Sequence, residues 1–121
     1  MKELVLIFVG GGLGSVARFL VGKWSLSLFP TQLPVGTLAA NILSCIILGI
    51  TVGYIAKTGV QGMVSAFVVI GFCGGFSTFS TFSYETLLLL QDGKWIWAGA
   101  NIAVSVVVCV VLLYFLSKHL L

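Results

Sequence analysis

Charged residues occur along this chain in sparse clusters, and the stretches between them are apolar. The clusters are Lys2 with Glu3, Arg18 with Lys23, Lys57, Glu85 with Asp92 and Lys94, and Lys118. A helix crossing the hydrocarbon core of a bilayer needs roughly 20 residues. Residues 34–56 and 95–117 each supply an uncharged run of that size. A first span over about 4–22 contains Arg18, which must sit near an interface, snorkel or face the protein interior, because a charge in hydrocarbon is costly. The third run, 62–91, is too long for one straight crossing. Its centre, Gly71 to Glu85, carries Gly71, Gly74 and Gly75 followed by Ser77, Thr78, Ser80, Thr81 and Ser83, where lipid favours leucine. Irregular backbone at membrane depth is tolerated only where it packs in protein or lines a wet cavity. The pattern therefore predicts an all-α membrane protein, a single domain over 1–121, with four transmembrane helices and the third one broken.

Composition agrees. Of 121 residues, 60% are hydrophobic and 7% charged, and the mean hydropathy is +1.21. About a quarter of the residues are charged in a soluble domain. Lys2 followed by an apolar run and Ser15-Val16-Ala17 has the outline of a cleavable signal peptide. Gly10, Gly11, Gly12 and Gly14 make a poor signal core but a good helix-packing face, because small residues four apart let membrane helices approach closely. The segment is read as the first span, with short connections near 25–33 and 57–61. Cys45, Cys73 and Cys109 lack the paired spacing of zinc or redox sites and read as small packing residues. The excess of +3 is spread along the chain, so a nucleic-acid partner is not expected.

With four spans, Lys2, Lys57 and Lys118 share one side of the membrane and Lys23 and Lys94 the other; counting Arg18 with the second side balances the two. The positive-inside rule then sets no orientation. A chain that inserts both ways can pair with its inverted copy, and four short helices enclose a polar pathway poorly. An antiparallel, dual-topology homodimer is expected; the alternative is one orientation fixed by something weaker than charge.

Within the spans, Thr37, Asn41 and Ser44 or Cys45 recur at three- and four-residue spacing, which stacks them on one helix face. Asn101, Ser105 and Cys109 form a second stripe. Helix–helix hydrogen bonding is the plain reading for such side chains. Asn41, with two donors and an acceptor in an apolar helix, is the better candidate for a pathway role. At the break, Ser77 or Thr78 can cap a new helix. Carbonyls ending the first half suit a cation, and N–H groups opening the second suit an anion. Phe79 and Phe82 share a face. Phenylalanine ring edges are electropositive and can touch a small dehydrated anion, with Ser80 and Thr81 adding hydroxyl donors. Proton-coupled transport usually employs an intramembrane carboxylate, and only Glu85 approaches that role. The lone histidine, His119, lies beside Lys118, and no catalytic constellation is present, so an enzyme is not expected.

Taken together, the motifs Gly10-Gly11-Gly12-Leu13-Gly14-Ser15-Val16-Ala17-Arg18, Pro34-Val35-Gly36-Thr37-Leu38-Ala39-Ala40-Asn41 and the run from Gly71 to Glu85 resemble the CrcB/Fluc fluoride channels over essentially the whole chain. The fourth span matches least. The resemblance implies an antiparallel dual-topology dimer with two fluoride pores and one structural sodium ion at the dimer centre, held by main-chain carbonyls that map to Gly74 and Ser77. It places the pore phenylalanines at Phe79 and Phe82 and the pore asparagine at Asn41. Ser80 and Thr81 are candidates for a hydroxyl track, and Thr37, Arg18, Asn101 and Ser105 for the pore or its vestibule. Arg18 either draws anions toward a vestibule or anchors its helix end, and the role of Glu85, a family motif residue, stays open, with ordering of nearby hydroxyls favoured over binding of the anion. The implied function is passive export of cytoplasmic fluoride across the inner cell membrane, without nucleotide hydrolysis or proton coupling. Competing readings are a small multidrug-type exporter, disfavoured because the first span has no embedded acid, and a noncatalytic membrane assembly subunit whose polar stripes only join helices.

Overall fold

The computed structural model describes residues 1–29 and 33–120, and the elements are helical. Helix α1 is Lys2–Leu28 and α2 is Val35–Thr58. Helix α3 covers 62–76, opening with one turn at Gly62–Val64, winding as a π-helix over Ser65–Cys73 and closing at Gly74–Phe76. Helix α4 is Phe79–Gln91 and α5 is Trp95–Leu120. Among the described residues, four stretches are long and apolar enough to cross a membrane: Lys2–Leu28, Val35–Thr58, Gly62–Gln91 and Trp95–His119.

Helix α1 runs to Leu28, beyond the span read near 4–22, because Lys23 lays its stem back along the helix and sets its ammonium 5.9 Å from the Phe19 ring centre. Part of the connection near 25–33, residues 30–32, lies outside the described residues. Pro34 sits just before the first turn of α2, where a missing N–H is harmless. Helix α2 ends at Gly59, whose φ of 72° is the left-handed conformation that glycine adopts without a Cβ clash. Gly93, φ 75°, does the same between α4 and α5.

Packing is set by small residues. A Cβ at Gly14 would lie 2.8 Å from the Phe76 backbone nitrogen and one at Gly10 would lie 3.1 Å from that of Phe72, so α1 lies directly on the backbone of α3. Gly75 sits in the same way against the backbone of Gly11. These rising pairs make α1 and α3 parallel. Gly12 meets nothing, so of the four glycines in the first motif, Gly10 and Gly14 are the buried packing pair. The π winding of α3 has no counterpart in the apolar pattern. At Gly71 a Cβ would come within 3.0 Å of both the Ala66 carbonyl, five residues back, and the Ile7 carbonyl of α1. Glycine there accommodates the wide turn and the close helix together. Helix α5 packs on α2, where Gly49 admits the Leu116 side chain; a Cβ would lie 2.8 Å from it.

Candidate functional site

Between α3 and α4 the backbone leaves the helical conformation for two residues. Ser77 has φ −81° and ψ 158°, and Thr78 has φ −154° and ψ 128°. A helical stretch at this depth would send the N–H of Thr78 back to the Gly74 carbonyl and that of Thr81 back to the Ser77 carbonyl. Both donors go elsewhere. Thr78 donates to Asn41 Oδ1 at 2.9 Å, and Thr81 donates to the Thr78 hydroxyl at 3.2 Å. The Gly74 and Ser77 carbonyls thus lose their regular helical donors. Of the two possible caps, Thr78 caps α4. Ser77 turns the other way, its hydroxyl donating to the Cys73 carbonyl at 2.6 Å and its N–H to the same oxygen at 3.0 Å.

The polar stripe of α2 faces this interruption along its length. Asn41 Nδ2 donates to the Thr78 carbonyl at 3.3 Å while its Oδ1 receives the Thr78 N–H. One turn on, the Ser44 hydroxyl donates to the Cys73 carbonyl at 3.4 Å. One turn back, the Thr37 hydroxyl donates to Glu85 Oε1 at 2.8 Å. As the α2 number rises its partner's falls, so α2 runs antiparallel to α3 and α4. The other carboxylate oxygen, Glu85 Oε2, is buried with no hydrogen-bond partner in the structure. Thr37, Thr81 and Glu85 line a cavity of about 710 Å³ together with Arg18, Lys23 and Asp92. Arg18 lines this cavity, and its Nε donates to the Gly75 carbonyl at 3.2 Å, placing a cation at the negative C-terminal end of α3.

Phe79 and Phe82 lie on one face of α4 with ring centres 5.9 Å apart and planes tilted by 38°. Phe79 is 80% exposed in the single chain, and the Ser80 hydroxyl is 3.3 Å from that of Thr78. The α5 stripe joins the far end of α4. Asn101 Nδ2 donates to the Thr86 hydroxyl at 2.9 Å, Thr86 donates to the Phe82 carbonyl at 2.8 Å, and Ser105 reaches Asn101 Oδ1 at 3.5 Å. Thr86, buried at this junction, was not singled out from the sequence, although its four-residue spacing from Phe82 places it one turn along the same face. Gly74 and Ser77 adjoin the interruption, whereas Asn101 and Ser105 meet it only through Thr86 and α4. Among the described residues, no group of three or more His, Cys, Asp or Glu side chains is arranged to hold a metal.

Residues 5–116 match the family model described as CrcB-like protein, Camphor Resistance (CrcB). The chain belongs to the CrcB family. Its CrcB relatives include the fluoride-specific ion channel FluC of Syntrophotalea carbinolica, 44% identical over 110 residues, which cover 90% of this chain and 89% of that protein. Fluoride-specific ion channel FluC 1 of Yersinia pestis is 41% identical over 106 residues, 87% of this chain and 83% of that one. A FluC of Shewanella loihica is 35% identical over 114 residues, 94% and 92% of the two chains. With four spans and this kinship, the CrcB chain is a multi-pass membrane protein of an ion-channel family.

Proposed function

We propose that this chain is a fluoride-selective channel that passively exports cytoplasmic fluoride across the inner cell membrane as an antiparallel, dual-topology homodimer. The observation that carries the reading is the interruption at Ser77 and Thr78, clamped by Asn41 beside Phe79, Phe82 and the Ser80 hydroxyl. Fluoride is small and strongly hydrated, so its pathway must offer donors in series while holding each site weak enough for release. The Asn41 amide, the ring edges of Phe79 and Phe82 and the hydroxyls of Ser80 and Thr81 supply that series. Glu85 orients the Thr37 hydroxyl at the cavity end, where Arg18 supplies positive charge. Phe79 needs cover on its outer face, and a second inverted copy supplies it. A single domain of four spans with a broken third crossing is sufficient for each half of the assembly.

A structural sodium ion at the dimer centre fits the same interruption. Sodium is a hard cation that takes oxygen ligands. The Gly74 and Ser77 carbonyls are among those that lose their helical donors at the break, the Thr78 N–H going to Asn41 and the Thr81 N–H to the Thr78 hydroxyl. A main-chain ligand at position 77 does not depend on which side chain stands there. The ion supplies charge at the crossing of two inverted breaks; the chain supplies the exposed carbonyls and the caps that keep them exposed.

Liposome flux tests the function. Purified protein reconstituted in vesicles loaded with fluoride should release it, read by a fluoride electrode, with the proton gradient collapsed by an uncoupler and no nucleotide present. Release that demands a proton gradient, or none from monodisperse protein, overturns the channel reading.

A further inference from the structure

A second cavity, an open apolar groove of about 390 Å³, lies between α2 and α5. Leu48, Gly49 and Val52 of α2 face Val110, Leu113 and Tyr114 of α5 across it, and Ser117 also lines it. Helix α2 runs antiparallel to α4, and α5 folds back on α4 past Gly93, bringing Asn101 to Thr86. So α2 and α5 run parallel, and their C-terminal ends share one side of the membrane. Leu48 lies ten residues before the end of α2 and Val110 ten before the end of α5, which is about 15 Å along each helix. That distance is half of a hydrocarbon core ~30 Å thick. Exposed Trp95 and Trp97 at one end of α5, and exposed Tyr114 and Lys118 at the other, are the residue types that settle at the two interfaces. The groove therefore runs from near the bilayer mid-plane to one interface, the depth of a single leaflet.

We propose that this groove seats one acyl chain of an anionic diacyl phospholipid drawn from the surrounding bilayer, with the headgroup phosphate at the Lys118 ammonium. The ammonium lies 6.0 Å from the ring centre of Tyr114, and Tyr114 is a wall of the groove, so the charge stands at the groove's interfacial mouth. Among the described residues no acid pairs with it. Lys57, in the last turn of α2, brings a second cation to the same side. Apolar surface alone does not select a lipid, because the hydrocarbon around a membrane helix is as apolar as its side chains; a groove adds close van der Waals contact on both flanks of a chain. The headgroup decides which lipid stays. Basic residues at a membrane surface attract anionic lipids, whereas a choline headgroup would set its own cation beside Lys118. The proposal does not depend on which ion the chain conducts.

Native mass spectrometry of the purified full chain in detergent tests the site, with dioleoyl phosphatidylglycerol titrated against dioleoyl phosphatidylcholine, whose acyl chains are identical. Phosphatidylglycerol should be retained about fivefold more tightly, the advantage expected of one lysine near the membrane surface. Lys118→Gln should erase that preference, and Lys94→Gln, at the opposite end of α5, should keep it. Val110→Trp, which puts a large side chain into the groove, should weaken retention of both lipids. Equal retention of the two lipids by the parent, or a preference that survives Lys118→Gln, overturns the proposal. So does a Val110→Trp variant that loses its assembly and keeps its lipid, which would make the groove a contact between copies of the chain. Photo-crosslinking of the parent in vesicles, using phosphatidylglycerol with a diazirine near the end of one acyl chain, locates the lipid without any substitution. After proteolysis, label on α2 and α5 around Leu48 and Val110 supports the seat, and label confined to other helices refutes it.

Discussion

Asn41 and Thr78 share two hydrogen bonds in opposite directions, amide to carbonyl at 3.3 Å and N–H to amide oxygen at 2.9 Å. The side chain of α2 thereby substitutes for the helical acceptor that the Thr78 N–H gives up. Leaving a buried backbone group unpaired costs about 1–3 kcal/mol, so this amide holds the extended conformation at the break.

Asn41→Asp keeps the acceptor for the Thr78 N–H but removes the donor to its carbonyl and sets a negative charge beside the proposed anion path. Fluoride efflux from liposomes should drop at least ~10-fold, since like charges a few ångströms apart repel by several kcal/mol at protein-like dielectric. Size-exclusion elution should stay that of the parent. Parental flux removes Asn41 from the pathway.

Phe82→Ile keeps an apolar side chain but loses the ring whose centre lies 5.9 Å from that of Phe79. The expected result is a fall in fluoride flux of roughly tenfold, the equivalent of ~1.4 kcal/mol at the barrier, with the assembly intact. If Phe82→Ile and Asn41→Asp both conduct like the parent, the proposed lining is rejected.

Gly14→Val and Gly12→Val separate packing from composition. A Cβ at Gly14 would lie 2.8 Å from the Phe76 nitrogen, whereas one at Gly12 meets nothing. Overpacking costs about 1–3 kcal/mol and more where backbone must shift. Thermal unfolding in detergent should show Gly14→Val strongly destabilised or aggregated and Gly12→Val close to the parent; equal effects would place the α1–α3 contact elsewhere.

Sodium removal tests the carbonyl site. Exchange of sodium for a large organic cation should lower the unfolding temperature, because a ligand bound only by the folded protein stabilises it by ~2.7 kcal/mol at a hundredfold excess over its Kd. Thr78→Val, which removes the hydroxyl receiving the Thr81 N–H, should weaken that response. An unfolding temperature indifferent to sodium argues against the ion.

The third span shows how far sequence reading reaches. Glycines and hydroxyls from Gly71 to Ser83 mark an interruption at membrane depth, because lipid imposes a strict rule on backbone hydrogen bonds. They do not say which hydroxyl caps the next helix; the structure chooses Thr78 and turns Ser77 back to Cys73. The stripe Thr37, Asn41, Ser44 is legible by spacing alone, yet its partners, Glu85, Thr78 and Cys73, are 29 to 48 residues away along the chain. The π winding of Ser65–Cys73 left no trace in the apolar pattern. Span number, apolar faces and the place of the interruption follow from local composition and period, which depend on residues three or four apart and on the hydrocarbon around them. The pairing of Asn41 with Thr78 and the seating of Gly14 on α3 arise only when distant helices pack, since contact across helices depends on register and rotation that no single helix encodes.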